Sequence, residues 1–233
     1  EVRPQVGGIL QKRLFTEGTE VKAGQVLYQI DPASLEVQLA TAQAQLAKAR
    51  TNQRAAQVNA ARNAELIKAR AISQQQFDDG QTALAQSESD VATAQAAVRA
   101  AELNLGYSRI KAPISGRASA SSVTPGALLT ASQTQALTTI TQLDPLYVDI
   151  TQSSTEVLRL KKQLAGGQLT QDRKGAARIT LVLDDGSTYA HAGTLQFSGV
   201  QVNPATGAIT LRATVPNPEG LLMPGMYVRA RLQ

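Results

Sequence analysis

The chain has 233 residues, of which 42% are hydrophobic and only 3% aromatic, and its net charge is +5. The hydrophobic share fits a folded protein, while the shortage of aromatics, with no Trp, points to elongated modules with thin cores rather than one large globule. With no Cys and a single His, His191, counting removes disulfide frameworks, thiol nucleophiles, most zinc sites and His-based triads. The basic residues are dispersed with few aromatics between them, so the charge does not read as a nucleic-acid surface. No apolar run approaches the roughly 18 residues of a membrane span.

In chain order, Val2 to Leu10 and Val26 to Ile30 read as strands around a turn at Thr16-Glu17-Gly18. From Ala33 to about Leu105 the composition changes. Pro is absent, Gly nearly so, and Ala, Gln, Leu and charged residues dominate, all strong helix formers. The first half carries a heptad-like seam through Leu35, Leu39, Ala42, Leu46, Ala49, Gln53, Ala56, Ala60, Asn63 and Ile67. In the second half Phe77, Leu84, Val91, Val98 and Leu105 recur every seven residues, with Gly80, Ser87, Ala94 and Ala101 between them. Alternating large and small side chains let two helices approach closely. The break falls near Ala69 to Ile72, after which Ser73 and Gln76 form a capping-box pattern. Two helices joined by so short a loop run antiparallel, and at 1.5 Å per residue each reaches roughly 50 Å. The first carries mostly basic residues (Lys48, Arg50, Arg54, Arg62, Lys68) and the second mostly acidic ones (Asp78, Asp79, Glu88, Asp90, Glu102). Such opposite signs favour association within a hairpin or between adjacent ones.

The segments flanking the hairpin repeat each other. Gly8 and Gly18 have the spacing of Gly116 and Gly126, Pro4 and Pro113 precede them, and Val26 to Ile30 matches Leu137 to Ile140 as a closing apolar strand. Two equivalent β halves folding into one sandwich are expected. The phrases Glu17-Gly18-x-x-Val21-x-x-Gly24-x-x-Leu27-x-x-Ile30 and Ala112-Pro113-Ile114-Ser115-Gly116 resemble the two halves of a lipoyl or biotinyl carrier domain. In this chain the hairpin, entering at Asp31-Pro32 and leaving at Ile110-Lys111, replaces the turn that would present the modified Lys. Lys111, immediately before Ala112-Pro113, is poorly placed for a swinging arm.

After Leu143-Asp144-Pro145 a strand is expected over Leu146 to Thr151, then a helix over Ser153 to Leu164 with Ser153 and Glu156 as a capping box, ended by Gly166-Gly167. Leu158 and Lys161 to Lys162 give that helix an amphipathic look. Strands over Arg178 to Leu183, Thr194 to Val202, Ala208 to Val215 and Met226 to Leu232, with a turn at Asp184-Asp185-Gly186-Ser187, suggest a small antiparallel barrel.

Three phrases, Ala112-Pro113-Ile114-Ser115-Gly116-Arg117, Gln142-Leu143-Asp144-Pro145-Leu146-Tyr147-Val148-Asp149, and Asn217-Pro218 followed by Leu222-Met223-Pro224-Gly225-Met226, occur in order around the inserted hairpin. On them the chain resembles the periplasmic adaptors, or membrane fusion proteins, of resistance–nodulation–division multidrug efflux pumps. The resemblance implies an elongated α+β fold. A lipoyl-like β-sandwich (1–31 and 110–141) is split by an antiparallel α-helical coiled-coil hairpin (32–109), and a small antiparallel β-barrel with one helix follows (142–233). It implies no enzyme activity, no cofactor and no metal. The partners it implies are an inner-membrane proton-driven transporter, an outer-membrane channel of the TolC type, and further copies of the chain in a ring, a hexamer in the assembled pump. Family members also carry a signal peptide, a lipidated Cys and a membrane-proximal domain. None is found here, so the chain is expected to be a fragment or ordered core of a periplasmic lipoprotein held to the inner membrane. The subgroup's tip pattern, Arg-x3-Leu-x6-Ser, falls on Arg62, Leu66 and Ser73. Arg62 and Leu66 share a helix face one position before the seam residues Asn63 and Ile67, as a docking pair for another helical tip would. The plain alternative makes Ser73 a helix cap, Leu66 a seam edge and Arg62 a solvated cation. Two other functions remain open: an adaptor for an ATP-driven export system, and a biotin or lipoate carrier subunit.

Overall fold

A computed structural model gives the architecture and describes residues 1–165, 177–196, 202–203 and 206–232. The chain divides into two compact units, Glu1–Pro113 with Ser119–Thr139, and Ile114–Ala118 with Ile140–Gln233.

In the first unit, strands β1 (Gly8–Arg13) and β3 (Val26–Ile30) pair antiparallel, with the two-residue β2 (Glu20–Val21) between them in sequence. β4 (Arg109–Lys111) adds to β3, and β6 (Leu128–Leu129) to β1, giving the order β4-β3-β1-β6. Leu10, Leu27, Tyr28, Ile30, Leu129 and Leu137 are fully enclosed. Phe15 packs edge-on against Tyr28 at 5.3 Å, so two of the few aromatic rings are spent on this small core. Tyr28 ties the halves of the repeat together. Its hydroxyl lies 2.8 Å from Ser121 Oγ and 3.2 Å from the Leu137 carbonyl. Burial raises the Tyr28 pKa above the ordinary phenol value.

The strand expected over Val2 to Leu10 begins only at Gly8. Before it Val2 makes an isolated bridge to Thr138, because Pro4 has no N–H to give a ladder. The matched glycines are matched in conformation too, with φ of 155° at Gly8 and 158° at Gly116. A Cβ at Gly8 would lie 2.6 Å from Ile30 Cγ2, and one at Gly116 2.5 Å from the Thr141 carbonyl oxygen. Both positions therefore exclude any side chain.

Between β3 and β4 the chain forms α1 (Ala33–Lys68, 36 residues) and α2 (Gln74–Tyr107, 34 residues). The Asp31 carboxylate accepts from the Ala33 N–H at the start of α1, and the pairing of Gln29 with Arg109 sets the entry and exit side by side. Ala42 packs with Val98 and Ala101, with Leu39 and Leu46 alongside. Near the far end Asn63 faces Gly80 and donates to the Gln76 carbonyl at 3.4 Å. The two helices thus run antiparallel. Their seam is thin: Ser87 is among its buried residues and turns its hydroxyl back to the Leu84 carbonyl. Among the described residues no ion pair joins α1 to α2, because the basic and acidic side chains all point outward into solvent.

In the second unit β5 (Gly116–Ala118) pairs with β7 (Ile140–Thr141). A five-stranded antiparallel sheet follows, built from β8 (Leu146–Ser153), β9 (Ala177–Val182), β10 (Gly193–Gln196), β11 (Ala208–Val215) and β12 (Arg229–Leu232) in the order β12-β9-β10-β11-β8. Its core is Ala177, Ile179, Leu181, Leu195, Leu211, Ala213, Val215 and Leu222, closed by Val157 of α3 (Ser154–Ala165). The Ser153 hydroxyl caps α3 at the Glu156 N–H. That helix buries Val157 and Leu160 and leaves Leu158 exposed, so its apolar face lies one position away from Leu158. The expected Gly166-Gly167 stop and residues 197–201 of the strand expected over Thr194 to Val202 lie outside the described residues. The last strand is shorter than Met226 to Leu232, because a turn at Pro224-Gly225, with the Met226 N–H on the Met223 carbonyl at 3.2 Å, occupies its beginning.

Candidate docking site at the hairpin tip

The tip is built mainly by backbone hydrogen bonds. α1 ends as Arg70 turns into the left-handed region at φ 57°. The Ala71 N–H then reaches the Leu66 carbonyl at 2.8 Å and the Arg70 N–H reaches Ile67 at 3.0 Å. These two bonds are a Schellman motif, which satisfies carbonyls that the helix end leaves free. Glycine ordinarily takes this position; here Arg does.

Three residues later α2 opens with a complete capping box. The Ser73 hydroxyl accepts from the Gln76 N–H and the Gln76 side chain accepts from the Ser73 N–H, both at 3.2 Å. Ile72 and Phe77, both half-buried, stand in the positions of a hydrophobic staple. The loop is therefore fixed at both ends by named bonds.

On this frame Arg62 and Leu66 sit one turn apart on α1. Arg62 is exposed, and no hydrogen bond or ion pair engages its guanidinium among the described residues. Leu66 is half-buried, so part of an apolar side chain remains open beside that cation. Neighbouring charges are mostly engaged locally: Lys68 pairs with Glu65 at 2.8 Å, and Gln74 donates to Asp78 at 2.9 Å. Both are exposed contacts of little worth to stability. The structure brings Arg62 and Leu66 together. It places the Ser73 hydroxyl at the N-cap of α2, where it accepts from the Gln76 N–H. Arg70 and the Leu66 carbonyl, which set the turn, were missed by sequence reasoning. A non-glycine residue in the left-handed region leaves no signature in sequence.

No cluster of three or more metal-binding side chains occurs among the described residues. No described helix is long and apolar enough to cross a membrane.

Comparison with known proteins covers the whole chain. The family model for the barrel-sandwich hybrid domain of RND (resistance–nodulation–division) membrane fusion proteins matches residues 1–141, and that for their β-barrel domain matches residues 145–233. The solvent efflux pump periplasmic linker SrpA of Pseudomonas putida is 50% identical over 233 residues, all of this chain and 57% of that protein. The multidrug efflux pump subunit AcrA of Escherichia coli is 48% identical over 233 residues, all of this chain and 58% of that protein. The chain thus spans somewhat over half the length of these relatives. Among solved structures, a MacA–MexA chimeric protein containing the Pseudomonas aeruginosa MexA α-hairpin domain matches with a TM-score of 0.63 at 25% identity, over 100% of this chain and 76% of that one. A membrane fusion protein from Streptococcus pneumoniae matches with a TM-score of 0.69 at 15% identity, over 97% and 89%, a likeness of fold alone.

Proposed function

Because the chain belongs to the family of RND membrane fusion proteins, we propose that it works as the periplasmic adaptor of a tripartite efflux pump. It would bridge an inner-membrane proton-driven transporter to an outer-membrane channel for the export of drugs and other toxic compounds. The carrying observation is the match of both family domains, in order along the chain, the first of them containing one inserted helical hairpin. SrpA, named a solvent efflux pump periplasmic linker, supports the same reading and the periplasmic location, and AcrA, named a multidrug efflux pump subunit, supports the efflux role.

The parts then take these roles. Residues 1–31 and 110–141 form a lipoyl-like sandwich without a carrier lysine; Lys111 is held in β4, its backbone paired with Val26. Residues 32–109 are a coiled-coil spacer, a reading supported by the antiparallel seam of small and medium side chains. Residues 142–233 form the barrel module facing the transporter. The adaptor catalyses nothing; transport energy comes from the transporter. Copies assemble into a ring, a hexamer in the working pump, held near the inner membrane by a lipid anchor.

At the tip, Arg62 and Leu66 are the docking pair for the channel, and Ser73 holds the turn that presents them. An unpaired guanidinium offers a planar fork of donors to backbone carbonyls or a carboxylate of the partner, and the open edge of Leu66 adds an apolar contact. The test is a photo-crosslinking side chain at Leu66 in cells that express the pump. Capture of the outer-membrane channel supports the reading. Capture of only the transporter, or of nothing while resistance persists, overturns it.

A further inference from the structure

A groove of about 740 Å³ runs beside the base of the hairpin, between the segment Glu1–Gln5, the last two turns of α2 and the stretch from Arg109 to Pro113. That is the size of a site for a small organic molecule. Its apolar lining includes Leu103 and Tyr107, which are 59% and 40% exposed. Large apolar side chains left open on one helix face are covered by nothing in the described fold. The rim is cationic. Arg99, Arg109 and Lys111 border it, and none has a side-chain partner among the described residues, whereas Arg3 is paired with Glu1. Glu102 is the other acid in the lining.

Gly106 is an independent sign. It is the penultimate residue of α2, and packing gives no reason for it: a Cβ there would meet no atom within 4 Å. It borders the groove, so its missing side chain leaves the groove open.

We infer that this groove binds an amphiphilic anion, an elongated apolar body with a single carboxylate or sulfonate, whose chain lies on Leu103 and Tyr107 and whose head meets Arg109 and Lys111. Two unpaired cations beside an apolar floor fit that class, since the head group gains charge-assisted hydrogen bonds while the tail covers exposed surface. The proposal is independent of the docking role of the tip.

The probe is 11-(dansylamino)undecanoic acid, titrated into the 233-residue protein below its micellar concentration and followed by dansyl emission. Saturable binding is expected, displaced by dodecanoate, with the methyl ester of the probe at least about tenfold weaker because it loses the charged head. Arg109→Glu with Lys111→Glu weakens binding by about tenfold or more, since two attractions become repulsions. Gly106→Leu fills the groove and abolishes binding while the melting temperature stays level or rises, which separates occlusion from unfolding. Unsaturable binding, equal affinity for the ester, or wild-type affinity in Gly106→Leu overturns the proposal. So does a charge-dependent response seen only with phosphatidylglycerol vesicles and not with the probe, which would make the surface a lipid contact instead.

Discussion

Asn217 is 1% exposed, and its side chain meets the ends of three segments. Its Nδ2 donates to the Leu143 and Leu222 carbonyls, both at 3.0 Å, and its Oδ1 accepts from the Leu222 N–H and the Tyr189 hydroxyl, both at 3.1 Å. Its own N–H goes to Asp144 Oδ1 at 2.8 Å. Asn217→Ala keeps that last bond and removes the other four. The Tyr189 hydroxyl has a second acceptor in the Pro216 carbonyl at 3.0 Å, so it is not stranded. The Leu222 N–H and C=O and the Leu143 C=O lose their side-chain partner. Stranded polar groups cost about 1–3 kcal/mol each, and the part-buried Leu143 carbonyl belongs at the low end, which puts the loss at about 4 kcal/mol. Stability of small domains is about 5–15 kcal/mol, so about a quarter to four-fifths of it goes. For a β unit of this size that corresponds to a fall in Tm on the order of 15–30 °C. The assay is thermal and urea denaturation of the purified protein followed at the β signal, with helicity recorded separately. A loss below about 1 kcal/mol would refute the reasoning, because it would mean that water or a local shift replaces all the missing bonds.

Four further outcomes are expected. Arg62→Asp abolishes efflux in susceptibility assays and leaves helicity and melting within about 0.5 kcal/mol of wild type, since an exposed, unpaired side chain is lost; Leu66→Ser acts in the same direction. Ser73→Ala costs about 1 kcal/mol of hairpin stability by circular dichroism, whereas Ser73→Thr, which can still accept from the Gln76 N–H, costs less. Arg70→Gly raises the helical transition by about 1 kcal/mol, because glycine meets no Cβ penalty in the left-handed region. Tyr28→Phe costs about 1 kcal/mol at neutral pH, with the Leu137 carbonyl still bonded to the Ser122 N–H. It also flattens the alkaline limb of the stability curve. The raised phenol pKa contributes stability below pH about 10 that is lost as pH climbs through the folded value, and titration of melting temperature from pH 8 to 12 checks it.

The hairpin was legible in the sequence because its signals are local. Composition, a seven-residue repeat and the Ser73–Gln76 pair all lie within one helix or one turn, and the observed helices end within a few residues of the expected limits. Strand limits were less legible. Val2 to Leu10 has enough apolar residues for a strand, yet Pro4 interrupts the ladder, and which residues pair is decided by a partner more than 100 positions away. The phrase Asn217-Pro218 marked a family without revealing its purpose; only the fold gathers Leu143, Tyr189 and Leu222 around that amide. The opposite charges of α1 and α2 were legible, but among the described residues they do not pair across the hairpin, since the charges occupy outward positions on both helices and the seam is filled by Ala, Ser, Leu and Val.

At the tip, the residues that make the turn and the residues that the turn presents are different. Backbone groups of Leu66, Ile67, Arg70 and Ala71 and the Ser73–Gln76 box fix the conformation. The side chains of Arg62 and Leu66 take no part in those bonds. On the proposed docking role, substitutions at Arg62 report on docking, and substitutions at Ser73 report first on the turn it caps. The double mutant of Ser73→Ala with Arg70→Gly distinguishes the two accounts of the site. If docking needs the turn held rigidly, Ser73→Ala lowers efflux through a looser tip, and Arg70→Gly, which stabilises the same turn from the other side, restores part of it. If Ser73 touches the channel directly, Arg70→Gly restores hairpin stability but not resistance. Helicity and drug susceptibility measured on the same three variants decide between these outcomes. Rescue is the expected outcome, because the Ser73 hydroxyl accepts from the Gln76 N–H and so holds the start of α2.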